Sequence, residues 1–325
     1  MQKNKENYIT CLKVLACLLI TNSHCREIYP YFFLAIGGSF GNAIFFITSG
    51  FCLANIKLSF RNWYFKRVKR ILLPVILISG FNLWFITERF TKPITVDILI
   101  DFINSYWFVF AILIYYIIFY VIFSSHQLKW QKYSLFIYCI GYFLLYLLNF
   151  QSDTFWVEPE GFHFFKVYFY FGIFLLGGII SQNLKHIEIK ISRNRKKILY
   201  LFLITMIVSF GCWGVLYTFL LVLHKLYSVQ FLVQMLVGLF TVAIFLICNI
   251  LKESFTISSD IFNTLVNRIS DSTLEIYLVQ VTFIKCALGF PFPINWIIFW
   301  MIALIGGSLL HQFVILIRSK FVVEK

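Results

Sequence analysis

Ten apolar runs of membrane-spanning length, separated by short basic segments, constrain this chain more than any other feature. They lie at roughly 8–24, 36–56, 71–90, 106–124, 132–150, 166–183, 198–218, 228–250, 272–289 and 294–317. A bilayer core about 30 Å thick needs about 20 apolar residues of helix to cross it. Lipid leaves unpaired backbone groups unsolvated, which favours helices that satisfy their own. The expected fold class is all-α: a polytopic membrane helical bundle of about ten transmembrane helices, forming one domain over residues 1–325. Composition agrees, because the chain is 60% hydrophobic and 13% charged, where a soluble domain carries about 25% charge. The first and ninth runs are the least apolar, carrying Lys13 and Glu275. Both are expected to face the bundle interior.

A net charge of +14 raises the question of nucleic acid, but its distribution argues for topology. The lysines and arginines cluster in alternate loops: Lys3 and Lys5, Lys57 to Arg70, Lys129 and Lys132, Lys185 to Lys197, Lys252 and Arg268, and Arg318 to Lys325. Few fall on the other side: Arg26, Arg89, Lys92, Lys166, Lys225 and Lys285. The positive-inside rule then places both termini in the cytoplasm of a multi-pass cell-membrane protein. No nucleic-acid motif or soluble basic domain is present. The eight cysteines include no CxxC pair, and most fall inside apolar runs. They read as small packing residues, with neither a disulfide framework nor a metal site. The ITNSHC that follows the first run is not a small-residue cleavage site, so no cleavable signal peptide is expected. The loops at about 151–165 and 184–197 are too short to fold alone, and no internal repeat is evident.

Lys13 and His24 stand out within the first run. Eleven residues separate them. That puts them only ~20° out of phase on a helix and ~16 Å apart along its axis, with Cys17 and Ile20 between them. Ionisable residues in a membrane span usually mark a pathway or a site, and an imidazole can accept and return a proton near neutral pH.

Four segments in order resemble the acyltransferase-3 family of integral membrane O-acyltransferases. LKVLACLLITNSH looks like its basic residue, ten intervening residues and histidine, here Lys13 and His24. GGSFGNAIFFITSGFCL is similar to its glycine-rich approach to an FFxxSGF signature, here Phe45, Phe46, Ser49, Gly50 and Phe51. YFKRVKRILLP, with Arg67, Arg70, Ile71 and Pro74, is similar to its arginine–arginine–proline segment, and YWFVFAILIYY to the tryptophan-containing span that follows. SDSTLEIYLVQ is a weaker match near the end. The chain departs from the family in having Thr10 at an acidic position, Lys13 where many members have arginine, and Gln280 in place of a late histidine.

The resemblance implies that an acyl group, usually acetyl, moves from cytoplasmic acyl-CoA to a sugar hydroxyl. The acceptor is a cell-surface polysaccharide or a lipid-linked glycan, and other polysaccharide-biosynthesis proteins are the implied partners. It implies acetyl-CoA as donor and no metal. His24 suits the part of general base or acyl relay. Lys13, Arg67 and Arg70 suit acyl-CoA binding or charge stabilisation, within a basic cluster that includes Arg61, Lys66 and Lys69. An extended cofactor arm would thread the ~16 Å from Lys13 to His24. Asn22, Ser49, Trp107, Glu275 and Gln280 are candidate site-lining residues. Each also has a plainer reading. Asn22 can simply satisfy His24, Ser49 can bond a neighbouring helix, Trp107 can anchor at the interface, and Glu275 can pair with Arg268. Gly37 and Gly41 read as helix packing. The competing class is a transporter or flippase of a glycan precursor, with Lys13, His24 and Glu275 along its pathway. A degenerate member that senses or scaffolds is the third.

Overall fold

The computed structural model describes residues 2–86, 105–125, 127–151, 153–158, 161, 163–255, 260–287 and 289–323. Arg89, Lys92 and Lys325 of the charge reading lie outside the described residues, as do residues 87–90 of the third run and 288 of the ninth. Helices account for every apolar run, and no strand occurs among the described residues. They are α1 (Gln2–Ser23), α2 (Gly38–Leu53), α3 (Phe60–Ile86), α4 (Trp107–Phe123), α5 (Leu128–Leu148), α6 (Phe164–Gln182), α7 (Leu184–Arg193), α8 (Arg195–Leu221), α9 (Phe231–Ile250), α10 (Asp260–Asp271), α11 (Thr273–Ala287), α12 (Ile294–Met301) and α13 (Gly307–Val323). A π-helical segment, Ile302–Gly306, joins the last two.

Among the described residues, seven helical segments are long and apolar enough to cross a membrane. The runs they leave out are the third, fourth and ninth. Five basic residues crowd the start of α3, so its apolar part begins at Ile71. Helices α4 and α11 are 17 and 15 residues long, about 25 Å and 22 Å at 1.5 Å per residue. Among the described residues, two α-helices lie outside the apolar runs. The basic segment expected as an inner loop folds as α7, and α10 precedes α11. Both alternate apolar and polar residues at helical spacing, as helices with one wet face do.

Contacts group the chain into two compact units, neither contiguous in sequence. One contains residues 1–12, 42–59 and 110–256, the other 13–41, 60–109 and 257–325.

In the first unit, α6 is the most buried of the spanning helices and α8 the most exposed. The core is aromatic. Phe46 of the FFxxSGF segment packs against Tyr115, Tyr170 and Phe174, with ring centroids 5.2, 5.4 and 6.5 Å away. Glycine sets how close α2 and α6 come. A Cβ on Gly50 would collide with the Phe174 carbonyl, and one on Gly177 with the Ile47 carbonyl. The loop before α6 is pinned to α9. Gln230 Oε1 accepts from the Trp156 backbone N–H at 2.9 Å. Gln234 Nε2 donates to the Val157 carbonyl at 2.7 Å while its Oε1 accepts from the Tyr142 hydroxyl at 2.8 Å.

The second unit is layered. Cys17 of α1, Ile276 of α11 and Ala303 of the π segment form one apolar layer. Cys25 and Ile28, just past α1, form another with Phe299 of α12, and Ile284 of α11 packs against it. Both residue series rise together along α1 and α11, whereas Phe299 and Ala303 run the other way. Helix α11 is therefore parallel to α1, and α12 antiparallel to both. Small residues bring these walls together: Gly307 sits against the Ile276 backbone, and a Cβ on Gly41 would lie 2.8 Å from the Ala16 carbonyl.

Candidate functional site

Helix α1 ends at Ser23, and His24 opens a 3-10 turn that runs to Glu27. The turn holds the imidazole at the end of the stripe that begins at Lys13. Cys17 and Ile20 between them are buried, and Lys13 and His24 are each half-buried. Across from His24 stands Tyr277 of α11, with ring centroids 6.2 Å apart and planes tilted by 59°. The tyrosine is fixed in turn. Its hydroxyl donates to the Ser105 carbonyl at 3.0 Å, and its ring packs against Phe108 at 5.7 Å. Phe108 meets Trp107 edge-on at 6.2 Å. Trp107 is buried, at 9% exposure, so it joins the ring cluster that backs His24. No hydrogen bond to either His24 ring nitrogen forms among the described residues.

Asn22 holds the backbone next to His24. Its Nδ2 donates to the Leu34 and Ile36 carbonyls, both at 2.9 Å, and its Oδ1 accepts from the Tyr29 hydroxyl at 2.7 Å. Trp296 Nε1 donates to that same phenol oxygen at 2.9 Å. Burial pushes the Tyr29 phenol above its usual range, which keeps it a donor. Asn22 thus fastens the loop at 28–36 to the end of α1.

Two residues before Tyr277, in the first turn of α11, Glu275 is buried at 4% exposure. Its partner is His311 of α13, with Nδ1 3.0 Å from Oε1. Arg268, the partner that sequence suggests, is exposed on α10, which ends before α11 begins. Sequence reasoning misses His311, although a signal is present: a lone histidine in the tenth run needs a polar partner in a low-dielectric setting.

The basic cluster of α3 is partly spoken for. The Arg67 guanidinium lies 3.9 Å over the Trp63 ring, and its Nη1 donates to the Trp63 carbonyl at 2.9 Å. Pro74 falls inside α3. It has no N–H to bond the carbonyl four residues back, and that carbonyl is Arg70's. Arg318 of α13 fills the gap: its Nη2 donates to Arg70 O at 2.7 Å and reaches Lys69 O at 3.4 Å. The Arg70 side chain itself is exposed.

The second unit therefore contains Lys13, Asn22, His24, Arg67, Arg70, Trp107, Glu275 and Gln280. Ser49 belongs to the first unit, half-buried on α2 beside Gly50. Gln280 is 1% exposed, and neither its Oε1 nor its Nε2 has a hydrogen-bond partner among the described residues.

A family model described as an acyltransferase domain matches residues 6–314. No curated protein and no solved structure shows a significant match to the chain.

Proposed function

The chain belongs to the acyltransferase-3 family of membrane acyltransferases, and from that premise we propose that it moves an acetyl group from acyl-CoA to a sugar hydroxyl. The acceptor is a cell-surface polysaccharide or a lipid-linked glycan. The protein lies in the cell membrane with both termini cytoplasmic, in keeping with the lysine and arginine distribution.

The observation that carries this reading is the setting of His24: a half-buried imidazole, held by a short turn against Tyr277, on the same stripe as Lys13. A sugar hydroxyl is a poor nucleophile until a base takes its proton. His24 removes it as the oxygen forms its bond to the acyl carbon. The carbon–sulfur bond then breaks, and the imidazolium returns the proton to the departing thiolate. The charge balance is zero, so no further acid or base is consumed. Lys13, with the exposed Arg70 and its neighbours on α3, supplies positive charge for the phosphates of the donor.

The test is transfer of label from acetyl-CoA to membrane glycan by the wild type and by His24→Ala at equal membrane levels. Loss of a base predicts a fall of about 10²–10⁴-fold. Equal incorporation by both proteins removes His24 from the chemistry.

A further inference from the structure

Between the two apolar layers of the second unit lies a polar one. Thr21 stands four residues after Cys17 and four before Cys25, so it shares their face of α1. Gln280 stands four residues after Ile276 and four before Ile284, so it shares theirs on α11. The layer below is Cys17, Ile276 and Ala303. The layer above is Cys25, Ile28 and Phe299, with Ile284 against it. Thr21 is 0% exposed and Gln280 is 1% exposed. Thr21 Oγ1 and both polar atoms of the Gln280 amide are without a hydrogen-bond partner among the described residues. Burying such groups unpaired costs about 1–3 kcal/mol each. An apolar pair would pack there at no such cost.

The layer is also beside the candidate site. Thr21 lies one helical turn, ~4.5 Å, from His24 along α1. Gln280 lies three residues from Tyr277, whose ring faces the imidazole. A trans secondary amide presents its acceptor and its donor on opposite edges, so it needs a donor from one helix and an acceptor from another, and Gln280 on α11 and Thr21 on α1 have both open. The donor assigned above carries two such amides in its pantetheine arm, the first close to the thioester. In the thioester arm of acyl-CoA, three bonds separate the sulfur from the first amide nitrogen, so a thioester at His24 puts that amide about one turn away.

We propose that Gln280, with Thr21 beside it, is the subsite for the first pantetheine amide of the acyl donor. Gln280 Nε2 donates to the amide carbonyl, and the Thr21 hydroxyl oxygen accepts from the amide N–H on the opposite edge. The subsite sets where along the stripe the thioester stops. This rests on the acyl-CoA reading above.

The experiment compares three donors in membranes carrying the full chain: acetyl-CoA, S-acetyl-N-acetylcysteamine, which keeps the amide, and S-butyl thioacetate, which lacks it. Wild type should show a KM at least about tenfold lower for the cysteamine thioester than for the butyl one. In Gln280→Leu the two KM values should converge. A structural role for Gln280 would instead lower the ligand-free melting temperature of Gln280→Leu, whereas removal of an unpaired buried amide leaves it equal or higher. A wild-type ratio near one, or an unchanged ratio in Gln280→Leu, overturns the subsite while leaving the acyltransferase reading intact. No transfer from acetyl-CoA by wild type overturns that reading, and the subsite with it.

Discussion

Arg318 shows how one missing N–H shapes a site. Pro74 leaves the Arg70 carbonyl open, and the Arg318 guanidinium closes it at 2.7 Å, a charge-assisted bond of about 2 kcal/mol. Arg318→Ala should therefore lower stability by about that amount. In a Pro74→Ala background the loss should be about half as large, because alanine restores the missing N–H. Thermal unfolding of the four proteins in detergent measures the coupling, and additive losses would contradict it. The Glu275–His311 pair predicts the opposite pattern from removal of one partner. Glu275→Leu or His311→Leu alone leaves a buried polar group and should cost about 3 kcal/mol, whereas the double substitution should cost less than either. Residues differ in how much of this the sequence reveals. The stripe of Lys13 and His24 was legible because the 3-10 turn continues directly from α1, so spacing along one segment relates them. His311 was not, because its partner comes from another helix and pairing between helices has no periodicity to read. The proline spacing was visible, but the Arg318 that answers it lies some 240 residues on.

Among the elements, the close approach of α1 and α2 rests on Gly41. A Cβ there would lie 2.8 Å from the Ala16 carbonyl, and backbone cannot step aside as a side-chain tip can. Gly41→Ala should reduce both stability and transfer, by moving the end of α1 that carries His24. Gly80→Ala is the control, since nothing lies within 4 Å of its Cβ position; there the change should be neutral or slightly stabilising. A melting temperature for Gly41→Ala equal to that of Gly80→Ala would sink the packing argument. Helices were the legible part of this scale. Apolar runs announced those that cross the membrane, because lipid rewards uniform hydrophobicity. Helices α7 and α10 went unread because their apolar residues are spread at helical spacing among polar ones and form no run. The pinning of the loop at 153–158 by Gln230 and Gln234 was equally silent, since a glutamine in a span reads only as a polar interruption.

For the whole molecule, family membership and the setting of His24 together support one chemistry, with a donor drawn along α1 and an acceptor met at its His24 end. Two compact units built from interleaved segments explain why no domain boundary was visible in the sequence: no stretch of chain longer than the fragment 110–256 belongs to one unit alone. The most direct measurement is label transfer in sealed vesicles carrying the full chain, with labelled acetyl-CoA confined to the side that bears the termini and glycan acceptor on the other. Wild type should label the glycan, and His24→Ala, present at the same level, should fall by about 10²–10⁴-fold. Glycan labelled equally by wild type and His24→Ala, or by neither, would contradict the account at its centre.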